Sequence, residues 1–290
     1  MVRTFAPVCA YGDGKRLPGV LRAAASNLRR KERLMFRKIA VLFAVMAFAA
    51  VVIVPLALSQ MGQAQPIVYT YVSQFQVPRA NWAEYSENTE KSFVPIANKM
   101  VADGTILSYS TFESVVHTTD GYTHGAAWSS TSIAGLTKVL DELRKGGPQP
   151  GQIAATKHED YLMQTSMYAM GSGSGASAYL RVVCQNAKPD KPEGYSAAVK
   201  KYLWPMIEDQ IKKGVVSYVG FDSQYVNTSA PSMRCLVINF PNAENMDKWA
   251  TAVNANFDKM SAADRDAFFG STVSDSRRDF VARITHSGHK

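Results

Sequence analysis

The sequence predicts an α+β protein made of two tandem copies of one βαββαβ unit, placed behind an apolar leader. Three observations predict it: self-similarity at a fixed offset, a common order of strand-like and helix-like periodicities in each half, and a Gly/Ser-rich stretch between the halves. Adding 110 to the residue number carries Tyr69 to Tyr179, Tyr85 to Tyr195, Lys91 to Lys201, Pro95 to Pro205, Gly104 to Gly214 and Lys138 to Lys248. Such a constant period marks a duplicated structural unit.

The 290 residues carry a formal charge of +8, and residues 1–38 account for all of it. The remainder is balanced, so a nucleic-acid partner has no global electrostatic support. Residues 1–34 read as a basic extension. Residues 35–64 hold a basic start, the uncharged run 39–58 and the small-residue exit Gly62-Gln63-Ala64, the pattern of a secretory signal peptide. The run is also long enough to cross a bilayer uncleaved. The expectation is a periplasmic or secreted protein, with an inner-membrane anchor through residues 39–58 as the alternative and that segment as the only membrane contact.

In the first copy (66–170), residues 67–76 alternate Val and Tyr as a strand does. Trp82, Tyr85, Thr89, Phe93, Ile96 and Met100 follow at helical spacing, and Gly104 closes that helix. Residues 106–116 and 122–128 read as strands around an Asp120-Gly121 turn. Ile133, Leu136, Val139, Leu140 and Leu143 mark a second helix, a Gly/Pro-rich loop follows at 146–151, and 161–168 closes the copy as a strand. The second copy (178–286) repeats the order, with an added short helix at 262–269 before its last strand at 280–285. Residues 171–177 are the linker. Pro95 and Pro205 fall inside the long helices, where a kink is expected.

This is the ferredoxin-like order, with both helices on one face of an antiparallel sheet. Tyr69, Tyr71 and Phe75 alternate with Val68 and Val72, so both faces of the first strand are apolar and the face without helices needs a cover. The two units are therefore expected to pack sheet to sheet as an intramolecular α/β barrel. In element order and in the duplicated Pro–Gly spacing, residues 66–286 resemble the dimeric α/β-barrel superfamily, which includes antibiotic-biosynthesis-type monooxygenases, muconolactone-isomerase-like proteins and stress-responsive barrel proteins. The resemblance implies a fold and transfers no catalytic motif. A haem-binding relative would offer an axial His in the second copy's helices, and residues 195–213 and 243–257 contain none. No metal site and no cofactor are expected.

His124 is the candidate acid/base, on a strand with Tyr122 and Trp128 on the same face by alternation; a hydrogen-bonded structural histidine is the plainer reading. Tyr69, Tyr71, Tyr122 and Trp128 are candidate ligand contacts, or simply core. Arg181 on an apolar strand needs a partner, either a structural carboxylate or an anionic ligand. His286 and His289 fall in what reads as a frayed tail. Pairing Val182 with Val237 places Cys184 opposite Cys235, which leaves either a cross-strand disulfide or two small buried hydrophobes. The functional expectation is a binding module for a small apolar molecule. The alternatives are a cofactor-independent monooxygenase or isomerase-like enzyme, and a structural component of the cell envelope.

Overall fold

The computed structural model describes residues 66–171, 177–226 and 232–290. The leader and most of the linker lie outside these residues. Among the described residues no helix is long and apolar enough to cross a membrane.

The first copy comprises β1 (Val68–Gln76), helix α1 over residues 82–102, β2 (Ser108–Ser114), β3 (His124–Ser130), α2 (Ile133–Gly146), a single turn α3 (Pro150–Ile153) and β4 (Lys157–Met170). The second comprises β5 (Tyr179–Asn186), α4 over residues 194–212, β6 (Tyr218–Gln224), β7 (Met233–Phe240), α5 (Ala243–Asp258), α6 (Ala262–Phe269) and β8 (Arg278–His289). All eight strands form one closed barrel in the order β1-β3-β2-β8-β5-β7-β6-β4. Each half contributes four adjacent strands, and the antiparallel ladders β2–β8 and β4–β6 join the halves. Closure pairs every edge strand, which removes the exposed edges that invite aggregation.

Side-chain alternation sorts the apolar residues into two kinds of core. Outward residues of the strands meet the helices: Tyr109, Ala126 and Trp128 pack with Phe93, Ala97 and Leu136 in the first copy, and Val219, Phe221 and Ile238 with Val199, Ile207 and Trp249 in the second. The inward set (Val72, Phe112, Ala127, Leu180, Val182, Val237, Phe280, Ala282 and Ile284) contains no helix residue and fills the barrel.

Both prolines are accommodated by a change of helix type. A π turn at Thr89–Phe93 precedes Val94-Pro95, and another at Val199–Leu203 precedes Trp204-Pro205. Widening the helix just before the proline accommodates its missing N–H and its ring, so each proline sits directly after a π turn, and the arrangement is duplicated in the two copies. The N-caps of α2 and α5 repeat at the same offset: Ser132 accepts from the Gly135 N–H and Asn242 from the Asn245 N–H. Gly104 and Gly214 end their helices with φ of 78° and 68°.

Several expected boundaries shift. β3 begins at His124, so Tyr122 precedes the strand and escapes its alternation. β4 starts four residues earlier than expected and runs to Met170, since it has a ladder on both sides. The presumed tail is a strand: β8 runs to His289, with His286 opposite Thr111 and His289 opposite Ser108. Only pairing with β2 orders that polar segment. The Gly/Pro loop contains α3, whose Gly151 packs so closely that a Cβ there would lie 2.6 Å from Tyr85 Cα.

Candidate functional site

His124 opens β3 on the helix-facing side and is 3% exposed. Tyr85 and Trp82 of α1 lie against its ring at 4.8 and 5.3 Å, and the Trp82 indole is held by donation to the Val77 carbonyl at 2.9 Å. Its Nδ1 lies 2.9 Å from Thr123 Oγ1, while Nε2 is buried without a partner. Burial, followed by the nearby His117, pushes its pKa down to about 4, so the ring is neutral near pH 7. The adjoining space, lined by Tyr85, Thr89, Thr111, His286 and their neighbours, measures about 20 Å³. That holds one water molecule and no organic ligand.

The other residues singled out from the sequence do not converge on His124. Trp128 shares its face, but its indole stacks on Tyr71 at 4.7 Å and donates to the Leu136 carbonyl at 3.2 Å, inside the helix–sheet core. Tyr69 makes an edge contact with Tyr225 at 5.3 Å. The Tyr122 hydroxyl donates to Glu159, whose strand position opposite Gln74 faces the barrel interior. Arg181 is half-buried and its Nη2 donates to Asp279 at 2.7 Å, so its partner is a carboxylate of the same chain. Asp279 also binds Arg277 at 2.8 Å, and hydrogen bonds from Arg277, then Arg181, hold it below the usual carboxylate range.

A larger cleft lies in the second copy, which sequence reasoning did not single out. It measures about 350 Å³ and is lined by Gln185, Lys188, Phe269, Thr272, Val273, Ser274, Asp275 and Arg277. The end of α6 and the loop into β8 form one wall. Phe269 and Val273 stay 53% and 40% exposed there. The first copy has only the single turn α3 in place of α6, so the cleft arises from the one insertion that distinguishes the copies. That insertion was visible in the sequence; the cleft, formed between distant segments, was not. Among the described residues no cluster of His, Cys, Asp or Glu could hold a metal ion.

Cys184 and Cys235 are directly opposite in the β5–β7 ladder and are disulfide-bonded.

No family model matches the chain, and no curated protein matches it. Solved structures do. A candidate monooxygenase from Lactobacillus acidophilus NCFM is 12% identical, with a TM-score of 0.56 over 77% of this chain and 96% of its own. Another, from Fusobacterium nucleatum subsp. nucleatum, is 11% identical, with a TM-score of 0.56 over 78% and 96%. The chain resembles the dimeric α/β-barrel proteins in fold. At such identities the likeness extends to architecture alone, because one fold hosts many chemistries.

Proposed function

We propose that this is an exported binding module for a small, largely apolar molecule, seated in the second-copy cleft. The observation that carries the reading is the cleft itself. Its volume lies within the ~300–1,000 Å³ usual for ligand sites, and it combines exposed Phe269 and Val273 with the polar groups of Gln185, Ser274 and Arg277. The apolar leader followed by a disulfide-bonded domain supports export, since such bonds persist in oxidising compartments. Native mass spectrometry of the protein starting near residue 65, with an anilinonaphthalene sulfonate titration, tests the reading. A retained ligand or saturable probe binding, weakened about tenfold by Phe269→Ala, is expected. A bare native mass together with no probe binding overturns it.

One observation favours a second reading, an enzyme of the monooxygenase or isomerase sort: the buried, unpartnered Nε2 of His124. It is the weaker reading, because the 20 Å³ beside that nitrogen admits no substrate. A His124→Gln variant that changed turnover of any substrate bound by the protein would reverse this ranking.

A further inference from the structure

One level of the barrel carries an unusual row of side chains across consecutive strands. Thr165 on β4 pairs with Asp222 on β6, Asp222 with Cys235 on β7, Cys235 with Cys184 on β5, and Cys184 with Arg278 on β8. Directly opposed residues in an antiparallel ladder share a face, with Cβ atoms roughly 4.5–5.5 Å apart. That face is the interior, because Val182, Val237 and Phe280, two residues along their strands from Cys184, Cys235 and Arg278, belong to the helix-free cluster. Asp222 is 6% exposed and Cys235 3%, whereas Cys184 is only half-buried. Thr165 Oγ1 donates to Asp222 Oδ1 at 2.7 Å.

We propose that Cys184–Cys235 is an exchangeable disulfide, with Asp222 as the proton carrier for Cys235 and a low-molecular-weight thiol as the reaction partner. The small thiolate attacks Cys184 Sγ, the sulfur of the more exposed cysteine. A mixed disulfide forms there, the Cys184–Cys235 bond breaks, and the electron pair leaves on Cys235 Sγ. In its buried surroundings a Cys235 thiolate is a poor leaving group. Transfer of the carboxyl proton of Asp222 to that sulfur yields a thiol and a carboxylate, which regains its proton from solvent. A second thiolate then attacks the mixed disulfide. It is released with the first as the oxidised small disulfide, and Cys184 takes a proton from water. Thus two small thiols are oxidised and one cystine is reduced. In the reverse direction the Asp222 carboxylate accepts the Cys235 proton. Arg278, exposed at the strand end and in register with Cys184, places positive charge where the anionic thiolate must approach.

The acidity of Asp222 suits this role. Burial raises its pKa to about 6, with the Thr165 hydrogen bond holding it partly down, so both protonation states are accessible near neutrality. The other titratable groups on the interior face are Tyr218 on β6; Lys157, Glu159, Tyr161 and Tyr168 on β4; and Arg278 and His289 on β8, with the Tyr122 hydroxyl reaching Glu159. The Tyr218 hydroxyl is held neutral by burial and then by the Asp222 carboxylate, and that of Tyr161 by burial and then by Glu159.

The test uses the oxidised, folded protein with excess dithiothreitol and no denaturant. Thiol formation is followed by alkylation and mass spectrometry, and each rate is divided by the thiolate concentration. In the wild type the normalised rate should rise about tenfold or more from about pH 8 to about pH 6, as Asp222 takes up its proton. Asp222→Asn should give a flat profile. Thr165→Val, which removes the bond that lowers the Asp222 pKa, should move the midpoint to higher pH and carries the test if the Asn variant does not fold. A flat wild-type profile, a profile unmoved by both variants, or a disulfide that never reduces while the protein is folded overturns the proposal.

Discussion

Asp222 stands directly opposite Cys235 across the β6–β7 ladder, with both side chains turned into the barrel and both almost wholly buried. A carboxyl in that position has to be stabilised by neutrality, just as the His124 ring is in the helix–sheet layer of the other half. The two groups respond to burial in opposite directions: the acid is raised from 3.8 to about 6 and the imidazole lowered from 6.5 to about 4.

Their contributions to stability therefore oppose one another. Below pH 6.5 the unfolded chain protonates its histidine while folded His124 does not, so its contribution is lost as pH falls from 6.5 towards 4. Folded Asp222 keeps its proton up to about pH 6 while the unfolded chain loses it near 3.8, so its contribution is lost as pH rises through that window. Each amounts to about 3 kcal/mol, and together they leave a shallow profile. Asp222→Asn should expose a loss of stability on acidification, and His124→Phe a loss as pH rises from about 4 to 6. Urea unfolding midpoints measured across that range check both slopes; identical slopes in the two variants would contradict the burial of either group.

The disulfide makes a direct chemical prediction. Alkylation of the denatured protein without reductant should label neither Cys184 nor Cys235. Replacing both by Ala should cost about 2–4 kcal/mol, given the 51-residue separation that the bond closes. Two labelled thiols would show that the pair is reduced.

Gly151 is required by a close approach of backbones. An added Cβ would lie 2.6 Å from Tyr85 Cα, which cannot move without displacing α1. Gly151→Ala should destabilise the protein by about 1–3 kcal/mol. Gly146→Ala, where the nearest atom is a flexible Gln149 side chain at 3.8 Å, should be neutral or stabilising. Thermal melts of the two variants side by side make the comparison.

The duplicated caps should behave alike. Ser132→Ala and Asn242→Ala each remove the oxygen that accepts from the third residue of a helix, at a cost of about 1 kcal/mol apiece. The two effects should add when combined, since the caps sit in separate helix layers. A double variant far from the sum would indicate that the layers communicate through the barrel.

The duplication, the strand–helix order and the need to hide the apolar strand face of each half could be read directly from residue spacing. So could the facing of Cys184 and Cys235, because matching Val182 with Val237 in adjacent antiparallel strands sets the two cysteines opposite one another; that they are bonded rather than two buried thiols came from the structure. The candidate site was less legible. Alternation grouped Tyr122 with His124 and Trp128, but the strand begins only at His124, and Tyr122 reaches Glu159 instead. Nor could spacing reveal that Asp279, far along the chain, pairs with Arg181.

What the sequence determined by itself is the local and periodic part: two βαββαβ copies, their glycine stops and the face each strand must bury. These follow from backbone preference and side-chain alternation, which act over a few residues. Tertiary structure alone decided that the polar segment 286–289 is a strand, that a cleft opens beneath α6, and that an acid lies beside a disulfide. Each of these depends on which distant strands become neighbours when the barrel closes, and alternation along one strand shows which face is buried without naming the neighbour that buries it.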